Sequence, residues 1–156
     1  MKDQVAFDEF RTVVKPEWMD HNQHMNVAYY VLAFDLATDE FYRYLGLLEA
    51  CYDKGTSFFT LDMNVTYYGE VVEGDTLRFT TQLIAMDQKR IRYFHHMYNA
   101  EEGYLAATNE CVAIHVDMNT RKSVAMPASL HERMLAIKKQ HDRLGLPENA
   151  NRQLRI

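Results

Sequence analysis

The sequence predicts an α+β fold in which an antiparallel sheet wraps around one long central helix. Residues 26–45 carry apolar side chains at helical spacing. Over residues 58–117 the apolar side chains instead recur at every second position, and three short polar turns interrupt them. Such a meander has one face to bury, and the helix is apolar over much of its circumference. The helix is therefore expected to cover the sheet.

One strand is predicted ahead of the helix. Residues 5–15, VAFDEFRTVVK, alternate loosely between apolar and polar side chains and stop at Pro16, which is typical of an edge strand. A polar loop over residues 20–25 separates this strand from the helix. Asn26 is of the type that caps helix N-termini, and Gly46 is of the type that follows a helix C-terminus.

Four more strands and a second helix are predicted after an irregular link over residues 47–56. The strands are expected at 58–69, 76–86, 90–99 and 104–117. An amphipathic helix should follow at about 128–143, and the polar tail 147–156 is expected to be frayed. Because the sequence contains no repeat and no linker, residues 1–156 are expected to form one domain.

Composition and charge exclude several classes of function. The chain has 156 residues, of which 47% are hydrophobic and 25% charged, as in ordinary globular domains. A net charge of −5 disfavours a surface that binds nucleic acid. The apolar run 27–34 is far too short to span a bilayer, and the N-terminus has no apolar signal core. Cys51 and Cys111 form no disulfide framework, metal motif or pair with histidine, which indicates packing residues in a reducing cytoplasm.

The segment DHNQHMN, residues 20–26, places titratable and hydrogen-bonding groups directly before the central helix. The first N–H groups of a helix lack partners within the helix and carry partial positive charge, so they can bind a developing oxyanion. Beside them, Asp20 could attack a docked carbonyl or deprotonate a water molecule, and Asn22 and His24 could orient these groups. The alternative interpretation is that Asp20, Asn22 and Asn26 are only loop and capping residues.

DHNQHMN resembles the D-x-N-Q-H-x-N-N loop of plant acyl-ACP thioesterases. More broadly, it resembles the loop before the central helix in hot-dog-fold thioesterases of the 4-hydroxybenzoyl-CoA thioesterase-like superfamily, and residues 66–83 and 103–122 resemble later strands of these proteins. VVKPEWMDHNQHMN, KRIRYFHHMYNAEEGYLAATNE and HVDMNTRK are most similar to thioesterase domains associated with L-carnitine dehydrogenase and with betainyl-CoA hydrolysis. The resemblance covers roughly residues 7–127 and implies a hot-dog fold with acyl-CoA thioesterase activity.

The resemblance also implies roles for individual residues. Asp20 matches the catalytic aspartate, and Asn22 and His24 match the polar pair that assists it. Val27 lies where these proteins offer a backbone N–H to the thioester oxygen. Glu70 matches a glutamate that the plant enzymes place after their second strand.

Three positions depart from the pattern of the resembling proteins. The plant enzymes have cysteine after the glutamate, whereas this chain has Val71, so that thiol nucleophile is missing. The second asparagine of the plant loop is replaced by Val27. Many of the resembling proteins have glycine where Gln23 stands, which puts the geometry of the loop in question.

Four tyrosines near the proposed catalytic loop and Glu70 are candidates for contact with the acyl group: Tyr29, Tyr30, Tyr67 and Tyr68. Aromatic ring faces attract quaternary ammonium ions, so such a pocket would favour a trimethylammonium acyl group such as betaine. The alternative interpretation is that these rings fill the core around the helix.

Other polar residues suggest weaker hypotheses. Lys89, Arg90 and Arg92 are candidates for binding the phosphates of CoA, although such residues are usually solvated. His95 and His96 are adjacent on a strand and point to opposite faces, so they should not share a metal ion. No metal and no cofactor are expected.

The leading hypothesis is hydrolysis of an acyl-CoA thioester. A hydratase of the same fold is the first alternative, but those enzymes resemble D-x-N-P-x-H, and this chain lacks both the proline and that spacing. A non-catalytic acyl-CoA-binding module is the second alternative, and Asp20 argues against it. A homodimer, or a dimer of dimers, with active sites at the subunit interface is expected, because a single meander leaves an edge strand exposed. The expected partner is thus the acyl-CoA substrate, with no nucleic acid and no membrane.

Overall fold

The computed structural model describes residues 6–154. Its strands are β1 (Arg11–Val13), β2 (Thr56–Tyr67), β3 (Thr76–Met86), β4 (Arg90–Asn99) and β5 (Leu105–Asp117). Its helices are α1 (Val27–Leu45), α2 (Leu47–Ala50) and α3 (Ala128–His141), and 3-10 turns lie at Pro16–Trp18, Tyr52–Lys54 and Asp142–Leu144. The bounds predicted for α1, α3 and β2 to β5 differ from these by two residues at most.

The five strands form one antiparallel sheet in the spatial order β1-β3-β4-β5-β2. The first strand is shorter than predicted, because the chain pairs with β3 only over β1 and at an isolated bridge between Phe7 and Thr81. The start of the predicted strand, Val5, lies outside the described residues. The link predicted to be irregular contains α2 and a 3-10 turn.

Helix α1 lies against the inner face of the sheet, as predicted. Its N-cap is Asn26, whose side-chain oxygen accepts the N–H of Ala28 at 2.9 Å. Its C-terminus is followed by Gly46, which adopts the left-handed conformation at φ 84°. The buried stripe of the helix includes Phe34 and Phe41, whose rings contact side chains of β3 and β4. The α+β class and the helix-wrapping sheet implied by the resemblance are therefore confirmed.

A buried hydrogen-bonded link joins α1 to the sheet. His95 is fully buried on β4, with Nε2 3.0 Å from Thr38 Oγ1 on α1 and Nδ1 2.7 Å from Thr81 Oγ1 on β3. Because the Thr38 hydroxyl donates to the carbonyl of Phe34, its oxygen accepts from Nε2–H of His95. Burial lowers the pKa of His95 to about 3, so the ring is neutral.

Helix α3 closes the open part of the β3 edge. Leu130, Met134 and Ile137 pack into the core beside α1. At the end of α3, Nδ1 of His141 accepts the backbone N–H of Leu83, which lies at a bulge in β3. The helix therefore satisfies an edge N–H group that no strand covers.

The polar tail does not fray through residue 152; it crosses the outer face of the sheet, opposite α1. Residues 145–154, called the C-terminal strap from here on, first meet β3, where the side chain of Gln82 donates to the carbonyl of Gly145 at 2.7 Å. The N–H of Asn151 then donates to Glu110 on β5, and the side chain of Asn64 on β2 donates to the carbonyl of Arg152, each at 2.8 Å. The prediction of a frayed tail was wrong, because polar groups of distant strands bind this polar segment.

The other edge of the sheet is β2, which has no strand partner beyond it among residues 6–154. A bulge interrupts β2 between Thr60 and Asp62, and Leu61 within it is 58% exposed. Within the described residues, no helix is long and apolar enough to cross a membrane.

Candidate active site

The loop that leads into α1 folds back on itself. The N–H of Asp20 donates to the carbonyl of His24 at 3.1 Å, and the N–H of Gln23 donates to the carbonyl of Asp20 at 3.0 Å. The Asp20 carboxylate accepts the N–H of Asn22 at 2.8 Å. Gln23 has a φ of 64°, the left-handed conformation that glycine adopts most easily. The loop therefore keeps a glycine-like backbone at the position where the resembling proteins have glycine.

The start of α1 carries a free donor. The N–H of Val27 donates to no group of residues 6–154, and the Val27 side chain is 57% exposed. Two residues earlier, Met25 is fully buried and donates its N–H to the carbonyl of Val71 at 2.8 Å. This bond fastens the helix start to the segment that follows Glu70. The N–H of Val27 is thus held at the surface with positive helix-dipole character.

A pocket of about 350 Å³ lies at this helix terminus. Its lining residues come from the loop, from α1 and from the end of β2: His24, Met25, Val27, Tyr30, Tyr67, Tyr68, Gly69 and Glu70. Six of these were predicted as site residues from the sequence; Met25 and Gly69 were not. The fold brings the loop of residues 20–26 and the Tyr-Tyr-Gly-Glu segment of residues 67–70 together because β2 ends beside the start of α1.

Tyrosine side chains form one wall of this pocket. The hydroxyl of Tyr30 donates to the carbonyl of Gly69 at 3.2 Å, and the ring of Tyr67 meets the ring of Tyr30 edge-on at 5.0 Å. The hydroxyl of Tyr67 donates to the carbonyl of Val27 at 3.4 Å. Burial raises the pKa of Tyr30 to about 12. These phenols therefore remain neutral donors.

Glu70 is held by a residue that the sequence did not single out. The hydroxyl of Tyr104 donates to the backbone carbonyl of Glu70 at 2.7 Å. The ring of Tyr104 lies so close to Gly69 that an added Cβ would be 3.0 Å from it. Tyr104 precedes β5, and only the pairing of β5 with β2 brings it to this site. Because Tyr104 holds the backbone of Glu70, the exposed Glu70 side chain starts from a fixed position.

Of the residues predicted in the loop and at the start of α1, three do not line this pocket: Asp20, Asn22 and Tyr29. Asp20 and Asn22 lie in the loop beside it, and Asp20 contacts the backbone of Asn22. His24 lines the pocket, with Nδ1 3.1 Å from the carbonyl of Met25 rather than bonded to Asp20. Tyr29 points away and stacks on Trp18 at 5.8 Å. Tyr29 is thus partly buried against the core, and its contact with the acyl group stays a prediction.

The basic residues predicted for CoA phosphates lie elsewhere in the chain. Lys89 and Arg90 are at the turn between β3 and β4, and Arg90, the first residue of β4, is seven residues from Met97, which lies level with Tyr67. At about 3.3 Å per residue, they are about 23 Å from the pocket end of the sheet. Arg92 is engaged by Glu110, with Nε 2.6 Å from Oε1, and by Asn151. The structure does not bring these three cations to the pocket.

The remaining polar candidates have structural roles. His95 faces α1, and His96 lies on the outer face, stacked on Tyr98 at 5.9 Å. Within residues 6–154, no three His, Cys, Asp or Glu side chains lie close enough together to hold a metal ion. Cys51, expected to lack a histidine partner, has its Sγ 3.6 Å from Nε2 of His115. Burial raises the pKa of this enclosed thiol, so it remains a packing residue.

Together, these groups can polarise and attack a carbonyl carbon. The free N–H of Val27 can donate a hydrogen bond to an oxyanion, and Glu70 lines the same pocket. The carboxylate of Asp20 lies in the loop that begins the same helix.

Comparisons with known proteins identify relatives over most of the chain. Residues 14–134 match a family model described as the thioesterase-like superfamily. A betainyl-CoA thioesterase of Pseudomonas aeruginosa is 33% identical, over 92% of this chain and 91% of that protein. An L-carnitine dehydrogenase/betainyl-CoA thioesterase of Rhizobium meliloti is 32% identical, over 92% of this chain but 29% of that longer protein.

Solved structures are also similar to this chain over most of its length. A Staphylococcus aureus protein solved in complex with CoA is 30% identical, with a TM-score of 0.87 over 97% of this chain and 95% of that chain. A DHNA-CoA thioesterase of Staphylococcus aureus is 17% identical, with a TM-score of 0.79 over 88% of this chain and 95% of that chain. The second likeness shows a shared fold.

Proposed function

This chain belongs to the thioesterase-like superfamily, and from that premise we propose that it hydrolyses the thioester bond of an acyl-CoA to a free acid and CoA. The observation that carries the proposal is the N–H of Val27, which has no partner within residues 6–154, on a residue that lines a pocket together with Glu70. The CoA complex of a 30% identical neighbour supports the choice of carrier.

The proposed reaction adds water across the acyl–sulfur bond. The carbonyl oxygen of the thioester accepts the N–H of Val27, which stabilises the negative charge that develops there. Water adds to the carbonyl carbon, the C–S bond breaks, and the sulfur leaves as a thiolate that takes up a proton. No cofactor is required for this step.

The proton acceptor is a carboxylate of the site. Asp20 is proposed as the general base or the nucleophile, with Asn22 and His24 orienting the water or the carboxylate. Glu70, which lines the same pocket as Val27, is proposed as the group that assists Asp20. A single turnover in ¹⁸O-labelled water tests the nucleophilic role. Label in the Asp20 carboxylate with unlabelled acid would identify an aspartyl–acyl anhydride that water opens at the aspartyl carbon, whereas labelled acid would come from a general base or from attack of water on the acyl carbon of the anhydride.

The proposed assembly is a homodimer whose sites lie at the interface. The long strand β2 leaves a row of unpaired backbone groups along its outer edge within the described residues. Pairing of two β2 strands about a two-fold axis would cover both edges. Asp20 lies beside, rather than in, the pocket of its own chain, which supports a site completed by a second copy.

Betainyl-CoA is proposed as the substrate. Two relatives carry that substrate in their names, and Tyr30, Tyr67 and Tyr68 line the pocket of this chain. Ring faces attract a quaternary ammonium ion by roughly 0.5–2 kcal/mol. Betainyl-CoA should therefore have a higher kcat/KM than 3,3-dimethylbutyryl-CoA, its neutral isostere. Equal values would leave a thioesterase for small neutral acyl groups.

The two free, buried cysteines support a cytoplasmic location.

The hydratase and the binding module remain distinguishable by one assay. Release of free thiol from acyl-CoAs, trapped with a chromogenic disulfide, identifies a hydrolase. Loss of enoyl absorbance without thiol release would identify a hydratase, and neither signal would identify a binding module.

Replacement of each carboxylate tests the assignment. Asp20→Asn keeps the shape of the side chain but loses its basicity and nucleophilicity, so kcat should fall by about 100-fold or more. The N–H of Asn22 can still bond to the amide oxygen, so circular dichroism and the melting temperature should be unchanged. The matched control is Asp53→Asn, an exposed aspartate in a 3-10 turn away from the site.

Glu70→Gln is compared with Glu73→Gln, a second exposed glutamate on the same segment. A loss of turnover in Glu70→Gln smaller than that in Asp20→Asn is expected. If Glu70→Gln abolished turnover and Asp20→Asn did not, the catalytic carboxylate would be Glu70.

A further inference from the structure

The C-terminal strap ends beside the candidate pocket. The guanidinium of Arg152 donates to the phenol oxygen of Tyr68 at 3.1 Å. Tyr68 lines the pocket, whereas Arg152 lies outside it, in an adjoining groove of about 730 Å³ on the outer face of the sheet. The guanidinium is therefore one tyrosine side chain away from the pocket, on the side open to solvent.

No carboxylate among residues 6–154 forms an ion pair with Arg152. The ion pairs within residues 6–154 involve the basic residues Arg11, Arg43, Arg78, Arg90, Arg92 and Lys138. Arg152 instead bonds to a neutral phenol, which leaves most of its five N–H donors free. Within the described residues, Arg152 is the only lysine or arginine whose side chain is hydrogen-bonded to a side chain that lines the pocket.

The backbone around Arg152 is fixed by side chains of the sheet. Asn151 donates its N–H to Glu110 and accepts from Arg92, and the carbonyl of Arg152 accepts from Asn64. Asn151 has a φ of 62°, a left-handed conformation that asparagine tolerates better than most residues. Arg152 is thus held at the rim by a built turn.

The groove itself is a poor site for an anion. Arg92 is neutralised by Glu110, and the Asp62 carboxylate adds a further negative charge to the lining of the groove. The pocket side of Arg152 has no such carboxylate in contact with the guanidinium. An anionic ligand should therefore approach Arg152 from the Tyr68 side.

We infer that Arg152 binds a phosphate group of the CoA carrier while the thioester lies at Val27. The inference rests on the proposed function and names a contact on the carrier rather than on the acyl group. The pantetheine arm of CoA separates the sulfur from the phosphates, so a cation is needed outside the pocket and not within it. Arginine suits phosphate because its planar fork donates two parallel hydrogen bonds.

The test compares two thioesters of the same acid, one on CoA and one on N-acetylcysteamine, which carries no phosphate. Arg152→Gln should raise KM for the CoA thioester by about tenfold, the range of a charge-assisted hydrogen bond, with kcat unchanged. The same variant should leave kcat/KM for the N-acetylcysteamine thioester unchanged. Arg143→Gln, an exposed arginine just before the strap, is the matched control and should alter neither substrate.

Two results would overturn the inference. An equal loss on both substrates would show that Arg152 only supports Tyr68 and the pocket wall. No change on either substrate would show that the phosphates lie elsewhere. If the unmodified protein cleaved neither thioester, the proposed function would fail, and calorimetry with CoA and with pantetheine would still decide this contact. Arg152→Gln should weaken CoA binding about tenfold and leave pantetheine binding unchanged; equal CoA affinity in both proteins would refute it.

Discussion

At the scale of single residues, Val27 is the position where a backbone atom can be removed without disturbing the helix. Val27 is the first residue of α1, and proline is well tolerated there because its missing N–H has no helical partner. Asn26 already has the extended backbone, φ −62° and ψ 142°, that a residue before proline prefers.

Val27→Pro should therefore fold normally and lose its oxyanion donor. We expect kcat to fall by about 100-fold, the range seen when one such donor is removed. Val27→Ala, which keeps the N–H, should retain kcat within a few-fold, and far-ultraviolet circular dichroism checks the helix in both variants. Wild-type turnover in a folded Val27→Pro protein would place the oxyanion site elsewhere.

Two buried histidines make stability depend on pH. Burial lowers the pKa of His95 to about 3 and that of His141 to about 4, against about 6.5 in the unfolded chain. The unfolded state thus binds more protons than the folded state between pH 6.5 and 4, and the free energy of unfolding should fall as pH falls through this range. The carboxyl pKa of Asp87 is lowered to about 2, so its contribution is lost below this range.

Urea unfolding at pH 7, 5.5 and 4.5 measures this dependence. Each histidine should contribute up to about 1.4 kcal/mol per pH unit. In His95→Gln the slope between pH 5.5 and 4.5 should be smaller than in the unmodified protein, whatever the absolute loss of stability. An unchanged slope would contradict the assignment of His95 as a neutral, buried group.

At the scale of elements, local signals in the sequence predicted what local interactions determine. Asn26 and Gly46 bound α1 through contacts with its own first and last turns, so both ends were predictable. The strap was not, because Asn64 and Glu110, which hold it, are far from it in sequence. A polar segment with distant polar partners has the composition of a frayed tail.

The same distinction applies to the candidate site. The loop and the Tyr-Tyr-Gly-Glu segment were singled out from the sequence, and the fold brings most of their predicted residues to one pocket. Tyr104 was missed because it carries no motif and reaches Glu70 only through the pairing of β5 with β2. The pairing of Arg92 with Glu110 was likewise not predicted, because it is not recognisable from spacing alone.

Tyr104 should position the segment that carries Glu70. Tyr104→Phe removes one hydrogen bond to the Glu70 carbonyl, which should cost about 1 kcal/mol of stability or less. We expect a several-fold fall in kcat with little change in KM. Tyr52→Phe, an exposed tyrosine beyond the other end of β2, is the comparison. An equal effect of both substitutions on kcat would argue against a positioning role.

At the scale of the whole molecule, the free edge of β2 predicts the assembly. Leu61 is exposed at the bulge of this edge, so Leu61→Asp should bring like charges together if two β2 strands pair. Sedimentation velocity should then show a shift towards monomer, and activity should fall in parallel. Leu135→Asp, on the exposed face of α3, is the matched control. A Leu61→Asp dimer as tight as the unmodified one would place the interface on another surface.

The hydrogen bonds from His95 to Thr38 and Thr81 have a consequence at the far end of α1. Apolar packing is non-directional and would let a helix rotate about its axis or slide along it. A hydrogen bond of fixed length allows only one rotation and one axial position. Val27 is eleven residues from Thr38, or about 16 Å along the axis, and each residue of slippage would rotate the first N–H by about 100°. The hydrogen bonds of His95 therefore fix the rotation and the axial position of α1. They also fix the N–H of Val27, the proposed donor to the substrate.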